Sequence, residues 1–484
     1  MMNIRSAKML SLAAMCTLLV ACSIPPRPTQ PELSTAAQTS GIPTKDDAAW
    51  PDRDWWTRYH DDDLNAIESM ALAKSPDLAI AQARFAQATK SIDIARAAGG
   101  ASIDGNVQVQ RERLSDNGLI PPKFLGFNWY NEGDIGAQFK YDFDFWGSHR
   151  ADIAANVDRA RAAAAERESA SNMLTAAVAD AYFGWQLDKT HIGFSNESMA
   201  LEQKIQSIAK SRLRQGLDPY DVLHEADAEV SAMREDVATF QWAAQMRRET
   251  IAALIGVSIS DVPEFHTRPL PAFTAALPAS VGLDLIARRS EVEASRWRVE
   301  ASLKEIDIAR AAFYPDFSIS AMIGLSSLDL GKIFRAGSTV VDAGPALHLP
   351  IFESGRLQAR FGASQASLDA AIADYNKAVV DAAHDAANQA LVLAQIEARR
   401  KERAGQIDAA QRLYESSIAR GKRGLTDARP EYSASIELIR QHDADAQLVA
   451  AGLSAEIALT KALGGGYVAE QNISKPDSVG AVKP

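Results

Sequence analysis

The residue with the clearest chemical assignment is Cys22, which follows Leu19, Val20 and Ala21. Arg5 and Lys8 precede an apolar run, Met9 to Val20, that is too short to span a bilayer. This order is typical of an export signal that ends at a lipoprotein cleavage site. We expect residues 1–21 to leave as the signal peptide, and Cys22 to carry a diacylglycerol thioether and an N-acyl chain. A plain secretory signal is the alternative.

No pattern of catalytic or metal-binding residues accompanies this cysteine. The eight histidines are scattered, and there is no His-Glu-x-x-His, paired-cysteine or Gly-x-Ser-x-Gly spacing. The formal net charge is −11, or −13 once the signal is removed, and no basic stripe with interleaved aromatics occurs. We predict that the protein is not an enzyme, needs no cofactor or metal beyond the Cys22 lipid, and binds no nucleic acid.

An internal duplication organises the chain. The heptapeptide Ile-Asp-Ile-Ala-Arg-Ala-Ala occurs at 92–98 and again at 306–312. We predict an acylated N-terminal tether followed by two repeats with a Pro-rich linker between them and a C-terminal tail after the second. The predicted bounds are 22–60 for the tether, 61–256 and 283–463 for the repeats, 257–282 for the linker and 464–484 for the tail.

Each repeat contains two segments in which apolar and polar residues alternate, the period of a β-strand with two unlike faces. The clearest runs from Ile135 to Phe145. We predict strands at about 101–113, 134–146, 315–327 and 338–352. Ten or so alternating residues suit a strand that crosses a membrane with lipid on one side and water on the other. A soluble sheet with two unlike faces is the alternative.

Long helical hairpins follow each strand pair, at about 148–256 and 355–463. Proline is absent from 148–214 and from 355–420, whereas alanine is abundant. Gly216 and Gly424 are suited to end the outgoing helices. Asp218 before Pro219 has the order of an N-cap and first helical residue, and Thr426 or Asp427 is suited to cap the second return helix.

Four strands are too few for a membrane barrel, because such barrels begin at eight. Chains must therefore associate, and three copies would supply twelve strands. The predicted fold class is an α+β membrane protein, a trimeric 12-stranded β-barrel continuous with a long α-helical barrel.

The order of these motifs resembles the TolC-like outer-membrane efflux family, specifically its lipoprotein branch. The likeness is carried by the lipoprotein site, the paired heptapeptides, residues 141–147 (Tyr-Asp-Phe-Asp-Phe-Trp-Gly), residues 349–357 and the closing Ala462 to Tyr467. It implies an outer-membrane channel-tunnel, a homotrimer that serves as passive exit duct for drugs or other small toxic compounds. The implied partners are a periplasmic adaptor and an inner-membrane pump of the resistance-nodulation-division or major-facilitator type.

The resemblance also assigns residues at the hairpin turns. In the family an Arg-x-x-x-Gly-Leu pattern meets the adaptor, which here implies a tip site at Arg212, Arg214, Gly216, Leu217, Asp218, Arg420, Gly424 and Leu425. Acidic and bulky residues of the second hairpin close family channels, which implies a periplasmic gate at Leu425, Asp427 and Arg429. The chain departs from the family here, because Asp221-Val222-Leu223 has no counterpart in Ala428-Arg429-Pro430.

Two other functions fit the same pattern. A type I protein-secretion duct would share the fold, but such ducts usually lack the acyl anchor. A periplasmic scaffold of long helices would need no pore, and its alternating segments would stay soluble without detergent. The lipoprotein site and the four strands favour the efflux channel.

Overall fold

The computed structural model describes residues 24–27, 29, 32–34, 44–45, 49–117, 121–274, 277–278 and 281–468. The predicted signal peptide, Cys22 and residues 469–484 lie outside this part of the chain. Two compact units are present. The sheet unit consists of residues 86–161 and 296–374 with the described N-terminal residues up to 32, and the hairpin unit contains 33–85, 162–295 and the residues from 375 onward.

A four-stranded antiparallel sheet dominates the sheet unit. Its strands are β1 Ser102–Arg113, β2 Trp129–Phe143, β3 Asp316–Ser327 and β4 Thr339–His348, and they pair in that order. The outer edges of β1 and β4 have no partner strand within the described chain. Each edge therefore presents backbone N–H and C=O groups to whatever lies beside it.

The pairing register sorts the side chains into two unlike faces. Directly opposed residues share a face, and Ile135 lies opposite both Val107 and Leu325. On the other side, Gln138 lies opposite Asp104 and Met322. The apolar face is uncovered, with Val107 73% and Val341 67% exposed. Such a face suits lipid better than water.

Two strands differ from their predicted bounds. β2 begins at Trp129 rather than 134, because pairing with β1 continues to Arg113. It ends at Phe143 because the Asp144 carboxylate accepts hydrogen bonds from the backbone N–H groups of His149, at 3.1 Å, and Arg150, at 3.0 Å. That cap starts the following helix. β4 ends at His348, two residues before Pro350, which has no N–H to donate.

Eight helices of at least eight residues occur in the described chain. They are α1 Asp62–Lys74, α2 Pro76–Ala98, α3 Ser148–Arg214, α4 Tyr220–Ile255, α5 Val281–Arg288, α6 Ser290–Ala311, α7 Arg356–Lys422 and α8 Arg429–Ala462. Single helical turns occur at Trp55–Tyr59, Pro122–Leu125, Ile259–Asp261, Leu330–Lys332 and Ala336–Ser338, and residues 44–45 pair with 277–278. Helices α3 and α7 contain 67 residues each.

Part of the core of the hairpin unit lies where α1 packs beside the long helices. Tyr182 is fully buried, and its hydroxyl donates to the Asp61 carboxylate at 2.8 Å. The other Asp61 oxygen accepts from the N–H groups of Asp63 and Leu64 and so caps α1. Trp55 and Trp56, also buried, close the same region. This polar anchor fixes the start of the repeat against the middle of α3.

Glycine 324 sets the spacing of the two central strands. A Cβ added there would lie 2.5 Å from the carbonyl oxygen of Ile135 and 3.0 Å from the Cα of Gly136. We predict that Gly324→Ala destabilises the protein by about 1–3 kcal/mol, because the strands must move apart. The measurement is the thermal unfolding midpoint of the purified protein in detergent. Gly344→Ala is the control, since no atom of the described residues lies within 4 Å of its added Cβ. Equal midpoints would contradict the prediction.

Candidate functional site: the tips of the helical hairpins

Both long hairpins turn by the same backbone device. Gly216 and Gly424 have positive φ angles of 69° and 71°, a conformation that glycine adopts without steric cost. The N–H of Leu217 donates to the Arg212 carbonyl at 2.9 Å, and that of Leu425 donates to the Arg420 carbonyl at 3.1 Å. This six-residue closure satisfies the last carbonyls of each outgoing helix. It leaves the two leucines 58% and 68% exposed.

A bidentate ion pair crosses the first turn. The Arg212 guanidinium donates from Nε to Asp218 Oδ2 and from Nη2 to Oδ1, both at 2.9 Å. Arginine and carboxylate match in this parallel geometry, which is stronger and more directional than a single contact. The turn at Gly216 makes the pair possible because it folds Asp218 back beside the last turn of α3.

Arg429 joins the second hairpin to the first. Its Nη1 donates to Asp218 Oδ2 at 2.9 Å, and its Nη2 donates to Asp427 Oδ2 at 2.8 Å. Arg212 Nη1 lies 3.7 Å from the same Asp427 oxygen. Two arginines and two aspartates thus alternate in a closed ring, here called the tip ring (Arg212, Asp218, Asp427 and Arg429). The ring couples turns that lie more than 200 residues apart in the chain.

Hydrogen bonding controls the charges in the tip ring. The bonds from Arg212 hold the pKa of Asp218 below its usual 3.8, with a further contribution from Arg429. The bonds from Arg429 lower the pKa of Asp427 in the same way. The Asp218 side chain is only 11% exposed, whereas those of the other three members are 25–32% exposed. At neutral pH all four groups are charged, and the ring carries no net charge.

The structure brings together four of the predicted tip and gate residues and separates the others. Arg212, Asp218, Asp427 and Arg429 meet in the ring. Leu217 and Leu425 point away from it and are exposed. Arg214 is exposed and forms no hydrogen bond or ion pair with the described residues, while Arg420 donates weakly to Ser417 Oγ at 3.4 Å.

The predicted N-cap roles were wrong. Helix α4 is preceded by Pro219 as its N-cap, without a side-chain cap bond, because the Asp218 carboxylate is engaged by two guanidinium groups. Helix α8 begins at Arg429 with Ala428 as its N-cap and Pro430 in the first turn, where proline is tolerated. Asp427, one residue before this N-cap, accepts a hydrogen bond from the N–H of Arg429 at 3.1 Å. Thr426 is not the N-cap either.

The contact between Arg429 and Asp218 is the part of the site that sequence reasoning missed. A local signal existed for the Arg212–Asp218 pair, because the two residues flank the Gly216 turn. No local signal exists for a partner from the second repeat. Only the packing of one hairpin beside the other brings Arg429 to the first tip.

Within the described residues, no three or more histidine, cysteine, aspartate or glutamate side chains are grouped so that they could hold a metal ion. No helix in that part of the chain is both long enough and apolar enough to cross a bilayer.

The sequence matches the model of a known protein family. The family model described as "Outer membrane efflux protein" matches residues 68–257 and 283–465, which are the two repeats. The chain belongs to the outer membrane efflux protein family. The predicted family resemblance is therefore confirmed, and the duplication seen in the sequence coincides with the two matched segments.

Curated relatives cover nearly the whole chain. The multidrug resistance outer membrane protein MdtP of Escherichia coli K12 is 29% identical over 472 residues, 96% of each chain. MdtQ of Escherichia coli O157:H7, also named a multidrug resistance outer membrane protein, is 32% identical over 467 residues, 93% of this chain and 96% of its own. The function predicted from the sequence, that of an outer-membrane efflux protein, is confirmed by these relatives.

Solved structures agree on the fold. The outer membrane protein VceC of Vibrio cholerae is 28% identical, with a TM-score of 0.75 over 86% of this chain and all of its own. The CmeC outer membrane channel of Campylobacter jejuni has a TM-score of 0.81 over 93% of this chain and 96% of its own, at 19% identity, and supports the fold alone. The predicted fold class is confirmed.

Removing Arg429 tests whether the tip ring couples the hairpins. We predict that Arg429→Ala speeds amide hydrogen exchange at residues 215–218 and 424–428 severalfold. The reason is that Asp218 loses the one partner that the described part of the second hairpin offers it. Exchange would be followed by mass spectrometry on the purified protein. The control is Arg440→Ala, which removes an exposed pair with Glu437 on the same helix. Equal exchange in the two variants would disprove the coupling.

The pH dependence of the ring follows from its lowered aspartate pKa values. The ionised Asp218 and Asp427 stabilise the folded tips. This stabilisation is fully present above the ordinary aspartate pKa of 3.8 and is lost as the pH falls through the lowered pKa values. We predict a constant distance between spin labels at Gln215→Cys and Arg423→Cys from pH 8 to about 5, and a longer, broader distribution only in stronger acid. Separation already at pH 6 would contradict this account.

Proposed function

We propose that this protein is the outer-membrane exit channel of a three-part efflux pump for drugs or other small toxic compounds. The observation that carries the proposal is the four-stranded sheet, whose uncovered apolar face and two unpaired edges suit lipid and further strands. The relatives that match along the whole chain are named multidrug resistance outer membrane proteins. The channel is passive, and the inner-membrane partner supplies the energy.

Three copies would complete the barrel. Within lipid, unpaired N–H and C=O groups are costly, so the edges of β1 and β4 need partner strands. A threefold assembly pairs β4 of one copy with β1 of the next and supplies twelve strands, above the minimum of eight. The polar face, with Asp104, Gln138 and Asp342, would then line a wet lumen.

The exposed tips are proposed as the contact with a periplasmic adaptor. Leu217 and Leu425 give each tip one exposed apolar side chain. Arg214 and Arg420 lie within five residues of these leucines, and neither forms a salt bridge within the described chain. A partner with a small apolar pocket and an acidic rim would match both features. The glycine turn fixes the leucine in place, so little conformational entropy is lost on binding.

The tip ring is proposed as the periplasmic gate, an extension of the predicted gate of Leu425, Asp427 and Arg429. It holds the second hairpin against the first through charge-assisted bonds to Asp218. Opening would require Arg429 to leave Asp218, and the ring's partial exposure lets water solvate the separated charges. Leu425 belongs to the adaptor contact rather than to the ring in this proposal.

The anchor is proposed to be lipid on Cys22 after removal of residues 1–21. An acylated cysteine followed by Ser23 would direct the chain to the outer membrane with its hairpins in the periplasm. The inner-membrane partner would be a resistance-nodulation-division or major-facilitator pump, and the bound lipid is the only covalent group the proposal requires.

A single leucine substitution tests the function. We predict that a strain lacking the gene accumulates amphiphilic drugs and dyes, that the wild-type gene restores export, and that Leu217→Glu does not, because a carboxylate cannot enter an apolar adaptor pocket. Leu217→Met is the control and should restore export. Light scattering on each purified protein must first give three times the chain mass. A monomer, or export by Leu217→Glu at the wild-type level, would overturn the proposal.

A further inference from the structure

A cationic cleft lies in the sheet unit, beside the ends of the two central strands. It has a volume of about 440 Å³ and is formed by the start of α3, the end of α6 and one N-terminal residue. Four of its lining residues are basic and one is acidic: Arg27, Arg150, Lys304 and Arg310 against Asp307. A cleft of this size can enclose part of a small organic molecule. Asp144 beside the cleft pairs with Arg150 at 3.3 Å and Asp307 pairs with Arg27, yet the basic groups still outnumber these two carboxylates, and the remaining positive charge favours an anion.

The duplication shows that this excess is not a general feature of the repeat. In the first repeat, Lys90 forms a salt bridge with Asp93 at 3.0 Å. The equivalent residues of the second repeat, Lys304 and Asp307, do not pair. Arg27 of the N-terminal segment takes the Asp307 carboxylate instead, at 2.9 Å. Lys304 forms no ion pair within 4 Å among the described residues; Asp158 interacts with it only at longer range, so its ammonium group can still reach a ligand.

The N-terminal segment is fixed at this cleft. Besides the Arg27–Asp307 pair, Arg310 Nε donates to the carbonyl of Pro25 at 3.0 Å. Arg27 lies five positions after Cys22, a reach of at most roughly 17 Å. Lipid attached to Cys22 would therefore start close to the cleft. This step rests on the proposed lipid anchor.

Aromatic residues surround the cleft, and they suggest that it lies at the boundary between water and lipid. Phe143 stacks on Phe145 with ring centres 5.6 Å apart, and Phe145 meets the edge of Phe317 at 5.3 Å. Trp146, which lines the cleft, stacks on Tyr314 at 4.4 Å. All three phenylalanines are at least 39% exposed. Girdles of aromatic side chains occur where barrel strands leave the hydrocarbon layer.

The cleft also lies away from the strand edges that further copies would use. Its two helices join the central strands, since α3 follows β2 and α6 precedes β3. The unpaired edges that further copies would use belong to β1 and β4.

From these observations we propose that the cleft binds the phosphate group of an anionic phospholipid from the membrane leaflet at the level of the cleft. Lys304, Arg150 and Arg310 would surround the phosphate, and the Trp146–Tyr314 stack would contact the glycerol and upper acyl carbons. The protein would thus hold membrane lipid at two neighbouring places, covalently through Cys22 and non-covalently through the cleft. Each basic residue near an anionic headgroup strengthens such binding about fivefold.

Native mass spectrometry of the full-length protein, purified in detergent, tests the proposal. Dioleoylphosphatidylglycerol should be retained in preference to dioleoylphosphatidylcholine. Lys304→Ala should weaken that retention about fivefold, and addition of Arg150→Ala should weaken it further by a similar factor. Lys90→Ala, the same residue at the same level of the first repeat, is the control and should have no effect. Unfolding midpoints equal to the wild type would show that the variants fold.

The outcomes distinguish the sources of phosphate. If inorganic phosphate binds as tightly as phosphatidylglycerol, the cleft is a site for a free anion and the lipid assignment is wrong. If both phospholipids are retained equally, or if Lys90→Ala weakens retention as much as Lys304→Ala, the cleft is not the binding site. Failure here with drug export intact would remove this proposal alone, whereas a monomeric protein that exports nothing would remove the proposed function.

Discussion

The unsatisfied edges of the four-stranded sheet constrain everything else in this chain. Alternation along each strand gives one apolar and one polar face, and the register keeps the apolar residues of neighbouring strands together. Within the described chain, the apolar face is exposed and the outer edges of β1 and β4 have no partner strand. Burial of the apolar face in lipid makes pairing of the edges obligatory, because the hydrocarbon layer offers no water to the free N–H and C=O groups. A chain built in this way requires copies of itself.

Duplication provides the framework, and divergence between the copies provides the specific features. The two tips share one backbone turn, yet only the second carries Arg429 and Pro430. The two heptapeptides share one sequence, yet only the second receives Arg27 from the N-terminal segment. At the second heptapeptide, the local lysine–aspartate pair of the first copy is replaced by a contact with a distant part of the chain. At the tips, the contact between the hairpins is added to local ion pairs that remain. The tip ring and the cationic cleft are therefore both products of broken repeat symmetry.

Local sequence signals predicted the elements but not the contacts between them. The positive φ angles of Gly216 and Gly424 follow from glycine's freedom and were expected. The start of α3 at Ser148 could be placed because no proline occurs between Ser148 and Arg214 and helix-forming residues dominate that stretch. The cap of α4 was assigned wrongly, because Asp218 has a better partner than backbone N–H groups, and that partner lies 211 residues away. The start of β2 was missed because pairing with Arg113, rather than composition, extends the strand to Trp129.

The position of Pro430 bears on how the tip ring holds the two hairpins together. Proline in the first turn of α8 fixes the backbone next to Arg429, and Asp427 binds both the N–H and the guanidinium of that arginine. These local contacts restrict the Arg429 side chain, so its contact with Asp218 costs little further side-chain entropy. Ion pairs that remain partly open to water contribute only modestly to stability. Such a ring can hold the tips together and still be opened at modest cost, as the proposed gate requires.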